Sequence, residues 1–149
     1  MVNQAKILLL VEDISVLSAL RFSLSVEGFE IAEGIAKEGD LSTAAALVID
    51  ECYAGNGLVA LDVLKRQGCC APAIILATNP TVKLRARVAA ANAELIEKPL
   101  LGDELSSAIR AIFETRKAAL RDHRSSRRNQ AIQAHGNFQR RHRAGRSAG

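Results

Sequence analysis

Long apolar runs are missing from this sequence. None reaches the roughly 18 residues that a membrane-spanning helix needs, so no span is expected. The opening stretch, Met1 to Asp13, carries one lysine and a brief apolar run that breaks into acids. It has neither the length nor the cleavage site of a secretory signal. Cysteine is scarce as well: Cys52, Cys69 and Cys70 make an odd number with two adjacent. That is a poor disulfide framework, and the spacing fits no zinc pattern. The three are expected to be small packing or surface residues with reduced thiols, in a cytoplasmic protein.

Acids are nearly absent from one end. Residues 116–149 hold ten Lys or Arg and a single acid, Asp122, a net of +9; residues 1–115 hold ten basic residues against fifteen acidic ones, a net of −5. The high pI of 9.3 is therefore a property of the C-terminal segment. That segment has few large apolar residues: Leu120, Ile132 and Phe138. It cannot bury enough surface to offset its ordering entropy. Residues 120–149 are thus predicted to be a basic tail, disordered beyond a helical lead-in. With Phe138 as its lone aromatic, the tail offers no base-stacking platform. A partner for it would be polyanionic, nucleic acid or an acidic protein surface, held weakly and in a salt-dependent way.

What remains suits one ordinary domain. "KILLLV" is a continuous apolar run, as in a strand buried on both faces. In "DISVLSALRFSLSVEG", Val16, Leu17, Leu20 and Leu24 fall near helical spacing, and Gly28 is a plausible stop. "FEIAE" reads as a short strand, and "GIAKEGDLSTAA" as one or two helical turns. "ALVID" is the next strand. "GLVALDVLKRQG" is a helix with Leu58, Leu61 and Leu64 inward. "PAIILAT" is a strand, and "PTVKLRARVAAANA" a helix opening on Pro80. "ELIE" is a strand. "GDELSSAIRAIFETRKAAL" is the last helix, with Leu105, Ala108, Ile109, Ile112 and Phe113 as its apolar stripe. Strands alternating with helices imply an α/β fold, a parallel sheet covered on both faces.

In such sheets the functional crevice lies at the carboxyl ends of the strands. Glu12 and Asp13 follow the first strand, Asp50 ends the third, Thr78 the fourth and Lys98 the fifth. A carboxylate at the end of an apolar run costs desolvation energy unless it is paired. Three carboxylates on one edge repel each other and call for a cation, and hard oxygen ligands at a partly hydrated site favour Mg²⁺.

With "LLVEDISVLSALRFSLSVEGFEI", "ALVID" and "LIEKPL", the chain resembles the receiver domain of two-component response regulators over roughly residues 5–115, which sets the domain at residues 1–119. The resemblance implies a flavodoxin-like, doubly wound five-stranded parallel sheet in the order 2-1-3-4-5. It implies that Asp50 accepts a phosphoryl group from a phosphohistidine on a histidine kinase or histidine phosphotransfer protein. Asp13 would ligate Mg²⁺ with Glu12 assisting, Asp50 and the main-chain carbonyl of Cys52 completing the set, while Thr78 and Lys98 bind phosphoryl oxygens. It further implies a cis peptide between Lys98 and Pro99, and output by docking to a downstream protein or by phosphate relay. The chain departs from the family pattern at Ala54, where Pro is usual, in a loop one residue short before Gly57. It departs again at Asn79, where a small residue is usual after the Thr, which leaves Ala77 as an alternative register for Thr78. The third departure is Leu95, where an aromatic is common. A second reading is thus a receiver-like interaction module that works without phosphorylation.

Overall fold

The computed structural model describes residues 6–33, 41, 43–100 and 102–144, with the backbone alone for Glu33, Asn129 and residues 131–144. The five strands are β1 (Lys6–Leu10), β2 (Glu30–Glu33), β3 (Ala44–Asp50), β4 (Ala73–Thr78) and β5 (Glu94–Lys98). They form one parallel sheet in the order β2-β1-β3-β4-β5. Four helices are named in chain order: α1 (Ile14–Val26), α2 (Gly57–Arg66), α3 (Val82–Ala90) and α4 (Glu104–Ala144).

Both faces of the central strands are covered, which is why β1, β3 and β4 read as unbroken apolar runs. Alternate residues go to opposite faces. Ile7, Leu9, Val48, Ile74 and Leu76 pack with Leu20 and Leu24 of α1 and with Leu105 and Ile109 of α4. Leu8, Leu10, Leu47, Ile49 and Ile75 pack with Leu61 and Leu64 of α2 and Val88 of α3. Truncating any of the fully buried leucines to alanine is expected to cost about 2–5 kcal/mol. The edge strands carry exposed acids instead, Glu30 on β2 and Glu94 and Glu97 on β5, which discourages strand addition.

Local chemistry sets the helix ends. Asp13 caps α1, its Oδ1 accepting from the amides of Ser15 at 2.9 Å and Val16 at 3.1 Å. Asn56 caps α2 in the same way, accepting from Leu58 and Val59. The third helix does not open on Pro80. Thr81 is the cap, its Oγ1 accepting from the Leu84 amide, and Pro80 stands outside; a side-chain acceptor outranks the mere tolerance of proline as a start signal. The helical turns expected over residues 34–45 lie largely outside the described residues, and their last two, Ala44 and Ala45, open β3. The three cysteines are free, Cys69 buried and the other two exposed.

The chain divides into two units, residues 1–113 and 114–149. The boundary expected from the sequence, after residue 119, lies six residues further along the chain. Phe113 packs on the core and meets Phe29 edge-to-face at 5.6 Å, whereas every side chain of residues 114–120 is exposed. Within the second unit the backbone is helical through Ala144; the sequence predicts a helical lead-in and then disorder from about residue 122. The segment is rich in Ala and Arg and free of proline, so propagating an existing helix costs little once its first turns are nucleated.

Candidate functional site

The order of strands reverses its direction of growth between β1 and β3, and the carboxyl ends of those strands flank the crevice where doubly wound sheets bind ligands. Asp50 is the last residue of β3. It is one of two buried polar residues among the described residues, 8% exposed. Its burial is tolerated because both oxygens are engaged. Oδ2 pairs with the Lys98 ammonium at 2.5 Å, and Oδ1 accepts from the Cys52 amide at 3.0 Å. Lys98 ends β5 beside Thr78 of β4 in the parallel register. The Lys98–Pro99 peptide is cis, in accord with the expectation.

Two further carboxylates hold the loops around Asp50. Glu12 Oε1 accepts from the amide of Ala54 at 3.0 Å, tying the end of β1 to the loop after β3. Glu51 Oε1 accepts from the amide of Thr78 at 2.8 Å, tying that loop to the end of β4. Ala54 has a positive φ of 51°. Proline, fixed near −65°, cannot adopt this conformation and has no N–H to give Glu12. The departure from the family pattern at Ala54 thus follows from the loop's own geometry. Asn79 also has positive φ, 46°, a conformation that asparagine tolerates better than most residues. Ala77 is fully buried, whereas Thr78, the last residue of β4, is exposed. A cleft of about 630 Å³ adjoins Thr78 and Lys98 on the α1 side, lined by Leu20, Leu24, Leu100 and Leu105 among others.

Gly57 fixes the far end of the loop. A Cβ there would collide with the main-chain carbonyl of Asp50 and press on Ile49. The start of α2 can approach the end of β3 this closely because residue 57 has no side chain.

The candidate cation ligands are Glu12, Asp13, Asp50 and the Cys52 carbonyl. All are hard oxygen donors, and in chemistry they fit Mg²⁺. Each also has another commitment: Glu12 to Ala54, Asp13 to the α1 cap, Asp50 to Lys98 and Cys52, and the Cys52 carbonyl to the Gly55 amide at 3.0 Å. Among the described residues no three His, Cys, Asp or Glu side chains are gathered as a metal-holding group. Asp13 spends a single oxygen, Oδ1, on both cap bonds.

Sequence reasoning missed Glu51 and the loop-holding contact of Glu12. The signal for Glu51 was its position: adjacent residues at a strand end face opposite ways, so an acid beside Asp50 had to serve a different neighbour.

A scan of protein-family models finds no match, and a search of curated proteins finds none either. Solved structures do match. A CheY-like response regulator receiver domain protein from Methanospirillum hungatei aligns with a TM-score of 0.65 at 19% identity, covering 76% of this chain and 98% of that one. A response regulator receiver domain protein from Clostridium thermocellum aligns at 0.68 and 20% identity, covering 77% and 98%. NtrX from Brucella abortus aligns at 0.69 and 23% identity, over 80% of this chain and 29% of that one. At these identities the likeness is one of architecture. The five-stranded parallel sheet, its order and its helices are those of the CheY-like response regulator receiver domain, and this chain has that fold.

Proposed function

We propose that the protein is a signal receiver in a two-component phosphorelay, and that Asp50 accepts a phosphoryl group from a phosphohistidine on a histidine kinase or histidine phosphotransfer protein. The observation that carries this reading is the buried Asp50 carboxylate paired with Lys98 at the crevice end of the central strand. A fold alone does not assign chemistry; this pair at this edge supports it. One Asp50 oxygen would form the new O–P bond while the N–P bond to the donor's imidazole breaks, and the freed ring nitrogen takes up a proton. Lys98 then exchanges its carboxylate partner for a phosphoryl oxygen, so its positive charge follows the negative charge as it moves. Thr78, beside Lys98 in register, has a hydroxyl to donate to the same group. Mg²⁺ held by Glu12, Asp13, Asp50 and the Cys52 carbonyl would supply positive charge against the repulsion between nucleophile and phosphoryl oxygens. No helix among the described residues is long and apolar enough to cross a membrane, which suits work in the cytoplasm, with output by docking to a downstream protein or by relay.

Intact mass after incubation with phosphoramidate and Mg²⁺ tests the reading. One added phosphoryl group is expected, lost in Asp50→Ala. An unmodified wild-type chain would overturn it. A second reading, binding without phosphorylation, is favoured by the commitment of Glu12 to Ala54 and would be left standing by that result.

A further inference from the structure

Between Glu114 and Arg128 the second unit is one helix whose described side chains are all exposed. Six of its residues are basic: Arg116, Lys117, Arg121, Arg124, Arg127 and Arg128. At about 100° per residue, all six fall within an arc of about 140°, with Leu120 as the one apolar residue among them. Ala118, Ala119, Asp122, Ser125 and Ser126 take the opposite arc. Lys117 pairs with Glu114 at 3.4 Å. Among the described residues none of the five arginines is in an ion pair. A helix that only needed to be soluble would scatter its charges and mix their signs. Here five unpaired guanidinium groups of one sign share one face.

We infer that this arginine face binds the phosphate backbone of double-stranded nucleic acid. Guanidinium forks match phosphate oxygens bidentately. The face runs about 18 Å along the helix at 1.5 Å per residue, a length over which a duplex presents about ten phosphates at one per 1.7 Å. An α-helix also fits the major groove of B-form DNA, so on that duplex one edge of the stripe can meet each bordering strand. An anionic membrane is a poorer fit. A helix lying in an interface buries an apolar face, and this one has Leu120 alone on its basic side and alanine, serine and aspartate opposite. Single strands are a poorer fit too, since residues 114–130 contain no Phe, Tyr or Trp on which bases could stack. With charge as the main determinant, binding should tolerate any sequence. It is independent of Asp50 chemistry.

Fluorescence anisotropy of the full chain with labelled duplexes of mixed sequence tests this, one arm with DNA and one with RNA of equal length. Six phosphate contacts give a slope of about −5 in log K against log salt on duplex DNA. Changing Arg116, Arg121, Arg124, Arg127 and Arg128 together to Gln keeps helix propensity and should weaken binding at least tenfold and flatten the slope toward about −1. Ser125→Gln with Ser126→Gln, on the opposite arc, should change nothing. Circular dichroism checks that both variants keep the helix. Unaltered affinity in the five-arginine variant would overturn the proposal. So would binding to phosphatidylserine vesicles or polyglutamate as tight as binding to either duplex.

Discussion

At Ala54 one residue answers to two demands. Its φ of 51° bends the loop after β3, and its N–H reaches Glu12. A left-handed conformation costs a non-glycine residue on the order of 1 kcal/mol. Ala54→Gly should therefore stabilise the chain by up to about 1 kcal/mol while keeping the amide. Ala54→Pro, which restores the family's usual residue, should instead destabilise it by about 3 kcal/mol, because neither the φ nor the hydrogen bond survives. Chemical denaturation of both variants checks the pair; a proline variant as stable as the parent would mean that the loop is not held as described. The strand-end positions of Asp50 and Thr78 were legible in the sequence because each closes an apolar run with a polar group, and that of Lys98 through the Lys-Pro pair of the resemblance. The carboxylate contacts to Ala54 and Thr78 were not. Each joins residues that are remote in the chain through a main-chain amide, and an amide leaves no mark in a sequence.

The first helix rests on Asp13, which is both its cap and a candidate cation ligand. Asparagine caps as well as aspartate but carries no charge, whereas alanine does neither. Asp13→Asn should hold stability within about 0.5 kcal/mol of the parent, and Asp13→Ala should lose about 1 kcal/mol. Both should lower Mg²⁺-dependent phosphorylation of Asp50. Thermal unfolding and intact mass, measured on the same two proteins, separate the roles; equal stability of the two variants would show that the cap contributes nothing. At this scale most of the architecture was readable. Apart from Lys6, Asp50 and Thr78 at their ends, β1, β3 and β4 are apolar, and α1, α2 and the first turns of α4 repeat their leucines and isoleucines at helical spacing, so the two periods do not blur. Boundaries were less readable where two start signals compete, as Pro80 and Thr81 do at α3. They were least readable where no apolar pattern operates, as in the helix beyond Phe113, whose continuation depends on propensity.

For the whole molecule, the two units differ in what holds them. Residues 1–113 close around a sheet packed on both faces, while the described side chains of residues 114–128 are all exposed. Removing residues 121–149 should then change the unfolding free energy of the remainder by less than about 0.5 kcal/mol and leave phosphorylation of Asp50 unaltered. Calorimetry on the shortened chain decides; a drop of several degrees in Tm would mean that the basic helix contributes to the core unit.

The hydrogen bond from Ala54 to Glu12 makes the loop and the carboxylate thermodynamically linked. A ligand that draws Glu12 away from the amide must do so against that bond, and its affinity is reduced by the free energy of the contact. Reciprocity then runs the other way. Whatever releases the loop raises the availability of Glu12, and whatever seals the loop lowers it by the same factor. A partner protein that touches the loop after β3 at Ala54 could therefore set the affinity of the proposed cation site without contacting Glu12 itself.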